Sequence, residues 1–467
     1  MIKMMKMATI VYLLICILLA LKGITAKYTP DWDSIDSRPL PDWYDKAKFG
    51  IFLHWGVFSV PSFHNEWFWP QWKSRHPAPD IVRFMKQNYR PDFTYADFAA
   101  DFTAEFFNPD EWADIFKASG AGYVVLTSKH GEGFPNWPSS HSFNWNAKAV
   151  GPNRDLVGDL ANAIRNKTDL KFGTYYCISE WLHPLYMKDK ANNFTTQSFV
   201  LSKALPELYE LVNRYKPEIL WADLADGQGP ASYYKSKEFL AWLYNDSPVK
   251  DSVVTNDRWC HECFCKHGGY KTCRDKWNPG KLQKYKWEDC MSVDKYSWGY
   301  RRNAPLDSYL DINQIISTFA STISCGGNML MNIGPTKEGT IIPVFEERLR
   351  QFGSWLKING EGVYGSVPWS HQNDFTTKNV WYTQQKTEND DSMVYAIMLT
   401  WPDDSVLMLG APIPSQSTQV TMLGYEGTVN WKAGPGGQGM NITLSNIPWN
   451  KLPSPWAWMF KLTNIAN

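Results

Sequence analysis

From about residue 49 to 365, short apolar runs alternate with helical patterns, and this alternation limits the possible folds more than any other feature. The runs are "FGIFLHWG", "YVVLTSKH", "KFGTYYC", "EILWADLAD", "SVVTNDRW" and "NMLMNIGP". They are apolar throughout rather than at every second residue, so both faces of each strand are buried, as in a parallel sheet covered by helices. Between them, "DEWADIFKASGAG" puts Trp112, Ile115 and Phe116 at helical spacing, with Gly120 placed to end the helix. "LPELYELVNRYKP" does the same with Leu208, Leu211, Val212 and Tyr215. Alternation of this kind over 27–365 suits a (β/α)8-type barrel, of which six strands are legible. After Glu361 the texture changes to "VWYTQQ", "MVYAIMLTW", "VLMLGAP", "TQVTMLGY" and "NITLS", separated by Gly, Pro, Asn and Asp turns. These segments predict a C-terminal antiparallel β-sandwich over 366–467.

The first residues read as an address. Lys3 and Lys6 precede "ATIVYLLICILLAL", and small residues follow in "KGITA", the pattern of a signal peptide over 1–26. The apolar run is short for a bilayer and no second one occurs, so no membrane anchor is expected. Sequons at Asn166, Asn193, Asn245 and Asn441 suit a secreted or lysosomal protein, although the Pro after Ser247 weakens the third. Seven cysteines follow the leader: Cys177, Cys260, Cys263, Cys265, Cys273, Cys290 and Cys325. "CHECFCKHGGYKTC" has the density of a zinc knot, but Cys263 and Cys265 are too close for an ordinary ligand pair. In an oxidising compartment such clusters are disulfides, so no metal is expected. The odd count leaves at least one free thiol, for which Cys177 and Cys325 are the candidates. Lys+Arg and Asp+Glu balance at 47 each, with no basic run, which argues against nucleic acid. Self-association into a homo-oligomer stays open. The 24 Trp, 23 Tyr and 24 Phe exceed what a core needs and can line a site for ligands with an apolar face, as sugars have.

In a barrel the chemistry sits at the C-terminal ends of the strands. There the sequence places His54 and Trp55, His130 and Glu132, Tyr175 and Tyr176, Asp223 and Asp226, and Asp257 and Arg258. Each alone has a bland explanation, since a lone His is usually a satisfied core group and an Asp after a strand usually caps a helix. The repetition across five strands is what points to a pocket, one mixing carboxylates, imidazoles, an arginine and tryptophans for a polyhydroxylated ligand. On the residues alone, Asp223, Asp226 and Glu132 rank equally as a nucleophile.

At these positions the chain closely resembles the retaining α-L-fucosidases of the lysosomal and secreted type, glycoside hydrolase family 29. The resemblance rests on "AKFGIFLHWGVFSVPS", "NEWFWPQW", "YVVLTSKHGEGFPNWPS", "LYNDSPVKDSVVTNDRW", "DKYSWGYRR" and "MNIGPTKEGTIIP", in that order over nearly the whole chain after the leader. It implies a barrel followed by a β-sandwich and the cofactor-free hydrolysis of terminal α-linked fucose from fucosylated glycans. Carried over by position, the nucleophile is Asp223 and the acid/base Glu288, in "KWEDC". Arg258 would keep Asp223 charged. His54, Glu66, Trp67, His130 and Tyr175 would hold the hydroxyls and ring, and Trp221 and Trp298 would wall the methyl group.

Two departures stand out. Where the family has Lys-His-His-Glu-Gly, this chain reads "KHGEG", with Gly131 in place of the second histidine. After the nucleophile it reads "LADGQGP", where relatives have Gly followed by acidic and aromatic residues. A vacated sugar contact at Gly131 is one reading, and Gly131→His would then raise kcat/KM. The alternatives are a backbone conformation that demands glycine, and room made for a neighbouring side chain. Loss of a contact would favour a fucose-binding protein without turnover, and remodelled loops would favour a glycosidase for a related sugar.

Overall fold

In the computed structural model, which describes residues 28–386 and 392–467, parallel strands form one sheet in the order β5-β4-β3-β2-β1-β7-β6. They are β1 (Phe49–Leu53), β2 (Tyr123–Lys129), β3 (Lys171–Cys177), β4 (Ile219–Asp223), β5 (Val254–Thr255), β6 (Trp287–Ser292) and β7 (Gly327–Ile333). All six legible runs become strands. The helices between them form where the apolar spacing placed them, over Pro109–Ala118 and Leu205–Tyr215. The first is capped by the Asn108 side chain, which accepts from the amides of Asp110 and Glu111, and Gly120 follows it at φ 77°. The leader expected over 1–26 lies outside the described residues.

β6 is the strand that periodicity does not announce, because "WEDCMS" carries two carboxylates. It is nonetheless fully buried, with Glu288 and Cys290 turned into the barrel. The gap between β5 and β6 is closed by a two-residue stave. The Tyr270 amide donates to the Thr255 carbonyl at 3.0 Å, and Lys271 exchanges bonds with Lys286 and Glu288, each 2.9 Å. Its brevity follows from the β5–β6 connection, which has only the turn His261–Cys263 in place of a barrel helix.

The helix Pro343–Asn359 ends the barrel, and β8 (Val367–Asn373) begins the second unit. With β9 (Val380–Lys386), β10 (Ser392–Met398), β12 (Pro414–Met422) and β15 (Trp458–Ile465) it forms a five-stranded antiparallel sheet. β11 (Val406–Leu409), β13 (Asn430–Ala433) and β14 (Met440–Thr443) form a three-stranded one. The two sheets enclose a core of their own, including Tyr382, Val394, Leu407, Ile442 and Phe460. The Trp355 indole donates to the Ala457 carbonyl and ties this unit to the barrel.

The cysteine-rich stretch holds two disulfides, Cys260–Cys263 and Cys265–Cys273, and Cys177, Cys290 and Cys325 are free and buried. Asp257 clamps the same loop from inside. One of its oxygens accepts from the Thr272 amide (3.0 Å) and hydroxyl (2.6 Å), the other from the amides of Cys265 (2.8 Å) and Cys273 (3.1 Å). An aspartate expected at the ligand is therefore a brace for the loop beside it.

Candidate active site

The C-terminal ends of the strands surround a pocket of about 570 Å³. Of the residues expected to hold a sugar, His54, Glu66, Trp67, His130, Tyr175, Trp221, Arg258 and Trp298 all line it, as does Asp223. Trp55, Tyr176 and Glu132 do not. The Trp55 indole donates to the Thr336 carbonyl, and Tyr176 points to the far side of the sheet, into a buried group of Lys129, Glu180, Lys203 and Glu207. Glu132 is enclosed beside His130, 3.4 Å from its Nδ1.

Asp223 ends β4. Its Oδ2 accepts from the Tyr175 hydroxyl at 2.8 Å, and its Oδ1 lies 3.4 Å from Arg258 Nη1. Burial raises its pKa above the usual aspartate value, with a further push from Asp275, and the pull of Arg258 and Tyr175 only partly offsets this. Asp226 also reaches the pocket wall, but its carboxylate is committed to the Tyr186 hydroxyl (2.8 Å) and Lys190 (2.7 Å). Among the three carboxylates that the sequence left equal, Asp223 is the one with both an entry to the pocket and partners suited to an anion.

Arg258 touches a second pocket carboxylate. Its Nη2 sits 2.6 Å from Asp275 Oδ1, its Nε donates to Thr272, and its guanidinium lies 4.7 Å from the centre of the Trp221 ring. Asp275 is about half exposed, on the loop that Asp257 and the Cys265–Cys273 disulfide hold. Sequence reasoning passed over it, because it sits in an irregular cysteine-rich segment without strand or helix periodicity.

Glu288, expected as the acid/base, is not in the pocket lining. It is the second residue of β6 and sits deeper in the barrel, fully buried. Oε2 accepts from Tyr44 and Tyr123, both at 2.8 Å, and Oε1 from the Trp221 indole at 3.0 Å. Burial pushes its pKa up to about 7 in spite of these donors. Its visible work is to fix the Trp221 indole, which lines the pocket.

The remaining polar groups are oriented for hydroxyls. Asn332 accepts from His54 Nδ1 at 2.8 Å while its own amide donates to Ser292 and Trp298, which leaves His54 Nε2 as an acceptor. Burial, with the nearby His130 and Arg258, pushes the His54 pKa well below its usual value, so the ring stays neutral. His130 differs. Burial works against its charge, but Glu132, Glu66 and Asp223 outweigh it and raise the pKa. Glu66 accepts on Oε2 from the amides of Trp298 (2.9 Å) and Gly299 (3.2 Å), and Oε1 has no protein partner among the described residues. Phe52, Trp221 and Trp298 pack together and supply an apolar wall.

Gly131 leaves no vacancy. A Cβ there would lie 2.7 Å from Trp181 Cε2 and 2.9 Å from Ala225 Cβ, and Gly131 is not among the residues with positive φ. Trp181 fills the space, with its amide donating to Gly131 O and its indole to Ala225 O, both 2.9 Å. The expectation that Gly131→His restores a contact is corrected accordingly, because the site is overfilled by any side chain. The expected result is a variant with a lowered melting temperature, destabilised by about 1–3 kcal/mol, and no gain in kcat/KM on an aryl fucoside. A stable variant with a gain would reinstate the vacated contact.

The sequence matches the family model for α-L-fucosidase over residues 16–361 and that for the α-L-fucosidase C-terminal domain over 372–463. It is 56% identical over 439 residues to an α-L-fucosidase of Branchiostoma floridae, covering 94% of this chain and 96% of that one. The tissue α-L-fucosidase of Homo sapiens is 53% identical, with 94% and 92% covered. The crystal structure of Thermotoga maritima α-fucosidase in complex with fucose superposes with a TM-score of 0.78 at 30% identity, over 93% of this chain and 100% of that one. With the barrel, the pocket and these similarities in agreement, the chain belongs to the α-L-fucosidase family of glycoside hydrolases.

Proposed function

We propose that this enzyme removes terminal α-linked L-fucose from glycans with retention of configuration, with Asp223 as nucleophile and Asp275 as acid/base. What supports the reading is the single guanidinium of Arg258 that reaches both carboxylates inside the pocket. Retention needs two carboxyl groups about 5 Å apart, one to attack and one to shuttle a proton. In the first step the anomeric C–O bond breaks and a bond to an Asp223 oxygen forms, while the departing oxygen takes a proton from Asp275. In the second, water attacks the anomeric carbon, gives its proton to Asp275 and releases the Asp223 carboxylate.

Arg258 pulls against burial to favour the charged form of Asp223, the form that attacks. It also holds the half-exposed Asp275 side chain at the pocket edge, on the side where a leaving group departs. His54 Nε2 and Glu66 Oε1 accept from fucose hydroxyls, and His130 when protonated donates to one. The apolar wall takes the 6-methyl group. No cofactor enters the scheme. Proton NMR of the first product from an aryl α-L-fucoside tests it. The α anomer appears first under retention, and initial β anomer would overturn the scheme.

The same reading makes the protein secreted or lysosomal, with the leader 1–26 removed. Asn166 and Asn193 are exposed and Asn441 is half-buried, so each can carry a glycan. Asn245 is different. Its amide donates to Tyr28 O and Ala241 O and its oxygen accepts from the Tyr28 amide. A glycan there would break this tie to the N-terminal segment, so glycopeptide mapping should find that asparagine bare.

A further inference from the structure

The outer face of β6 lacks one of the two helices that would normally flank it. On one side lies the helix Ile312–Ser324, but the β5–β6 connection contributes no helix, only the loop carrying Lys276 and Asn278. The uncovered space is an open cavity of about 480 Å³, flanked on the other side by Trp381 of β9 in the C-terminal sheet. That volume is in the range of small-ligand sites.

Asp289 lies on its floor, 2% exposed. Its Oδ1 is buried with no hydrogen-bond partner within 3.5 Å among the described residues; the Thr322 hydroxyl reaches Oδ2 at 3.5 Å and the Asn278 side chain lies near the carboxyl, while burial pushes its pKa up to about 6. A buried carboxyl so weakly partnered costs stability that an apolar residue would not. A core position under a helix would be occupied by an apolar side chain, as at Met291 two residues on, which also lines the cavity. The walls add the hydroxyls of Ser317 and Ser321 and, at the edge, Lys295. The half-buried Trp381 indole stands across from them.

We propose that this cavity between the barrel and the C-terminal sheet is a second, non-catalytic carbohydrate site that takes one neutral pyranose unit. A sugar hydroxyl donates to Asp289 Oδ1, its neighbours exchange bonds with the serine hydroxyls and Lys295, and the C–H face lies on Trp381. An amine or metal ion fits less well, because a single carboxylate with lysine at the rim does not neutralise it. The site stands apart from the fucose pocket but shares its loop, since Arg274 and Asp275 line one and Lys276 and Asn278 the other.

Saturation-transfer NMR on the whole enzyme, with the active site filled by excess L-fucose, tests the assignment. The probes are the methyl pyranosides of galactose, mannose and N-acetylglucosamine. At least one should show transfer that weakens tenfold or more in Trp381→Ala and in Asp289→Ala, with turnover of an aryl fucoside unchanged. Either variant suffices should the other fail to fold. No transfer from any of the three, or transfer that persists in a folded variant, overturns the proposal and leaves a cavity that holds water only.

Discussion

Asp223→Asn is expected to lower kcat/KM on an aryl α-L-fucoside by on the order of 10⁴ or more, the scale of losing a covalent nucleophile. Fucose itself should still bind, because the change removes charge and almost no volume; the amide oxygen keeps the Arg258 contact, and the amide NH2 donates to the Tyr175 hydroxyl oxygen. Calorimetric titration with fucose and intact-protein mass spectrometry with a slow fluoro-sugar substrate separate the two effects. Binding without a covalent adduct is the expected pair of results, and near-parental turnover would move the nucleophile to another carboxylate. The parent should also show an acid limb in kcat/KM that reports this group. Since burial and the Asp275 charge raise the Asp223 pKa, activity falls as pH drops through a value above the usual aspartate range.

Asp275→Ala and Glu288→Gln should behave differently from each other. Removal of the acid/base slows a substrate with a poor leaving group by about 10²–10⁴, spares an activated aryl fucoside in the first step, and lets azide rescue the second as an external nucleophile. This pattern is expected at Asp275. Glu288 acts through the Trp221 indole, so its loss should affect both substrate types alike, with no azide rescue. If Glu288→Gln shows selective loss and rescue while Asp275→Ala does not, the roles revert to those implied by the sequence resemblance.

The contrast between these two carboxylates also shows what a sequence exposes. The strands legible as apolar runs are those whose inner and outer faces are both greasy, such as Tyr123–Lys129 and Gly327–Ile333. β6 escapes because its inner face carries Glu288, held by Tyr44, Tyr123 and Trp221, three donors scattered over 178 residues of chain. The sugar-facing residues at strand ends were found because strand position dictates where they point. Asp275 was not, since its position depends on a disulfide pairing and on four hydrogen bonds to Asp257, neither of which has a local pattern. The sandwich shows the same limit. β9 and β10 alternate or run apolar, whereas the short, mostly exposed β13 leaves little periodicity to read.

The packing of Trp181 against Gly131 and Ala225 joins two differences that are 94 positions apart in the chain into one. A histidine at 131 has to displace the indole, and a bulkier residue at 225 would press on the same ring. Each position therefore sets which substitutions are tolerated at the other two. Such a trio is epistatic: the stability cost of a side chain at Gly131 depends on where the indole of Trp181 sits, so single-site scans at Gly131 or Ala225 would lose stability for reasons unrelated to fucose.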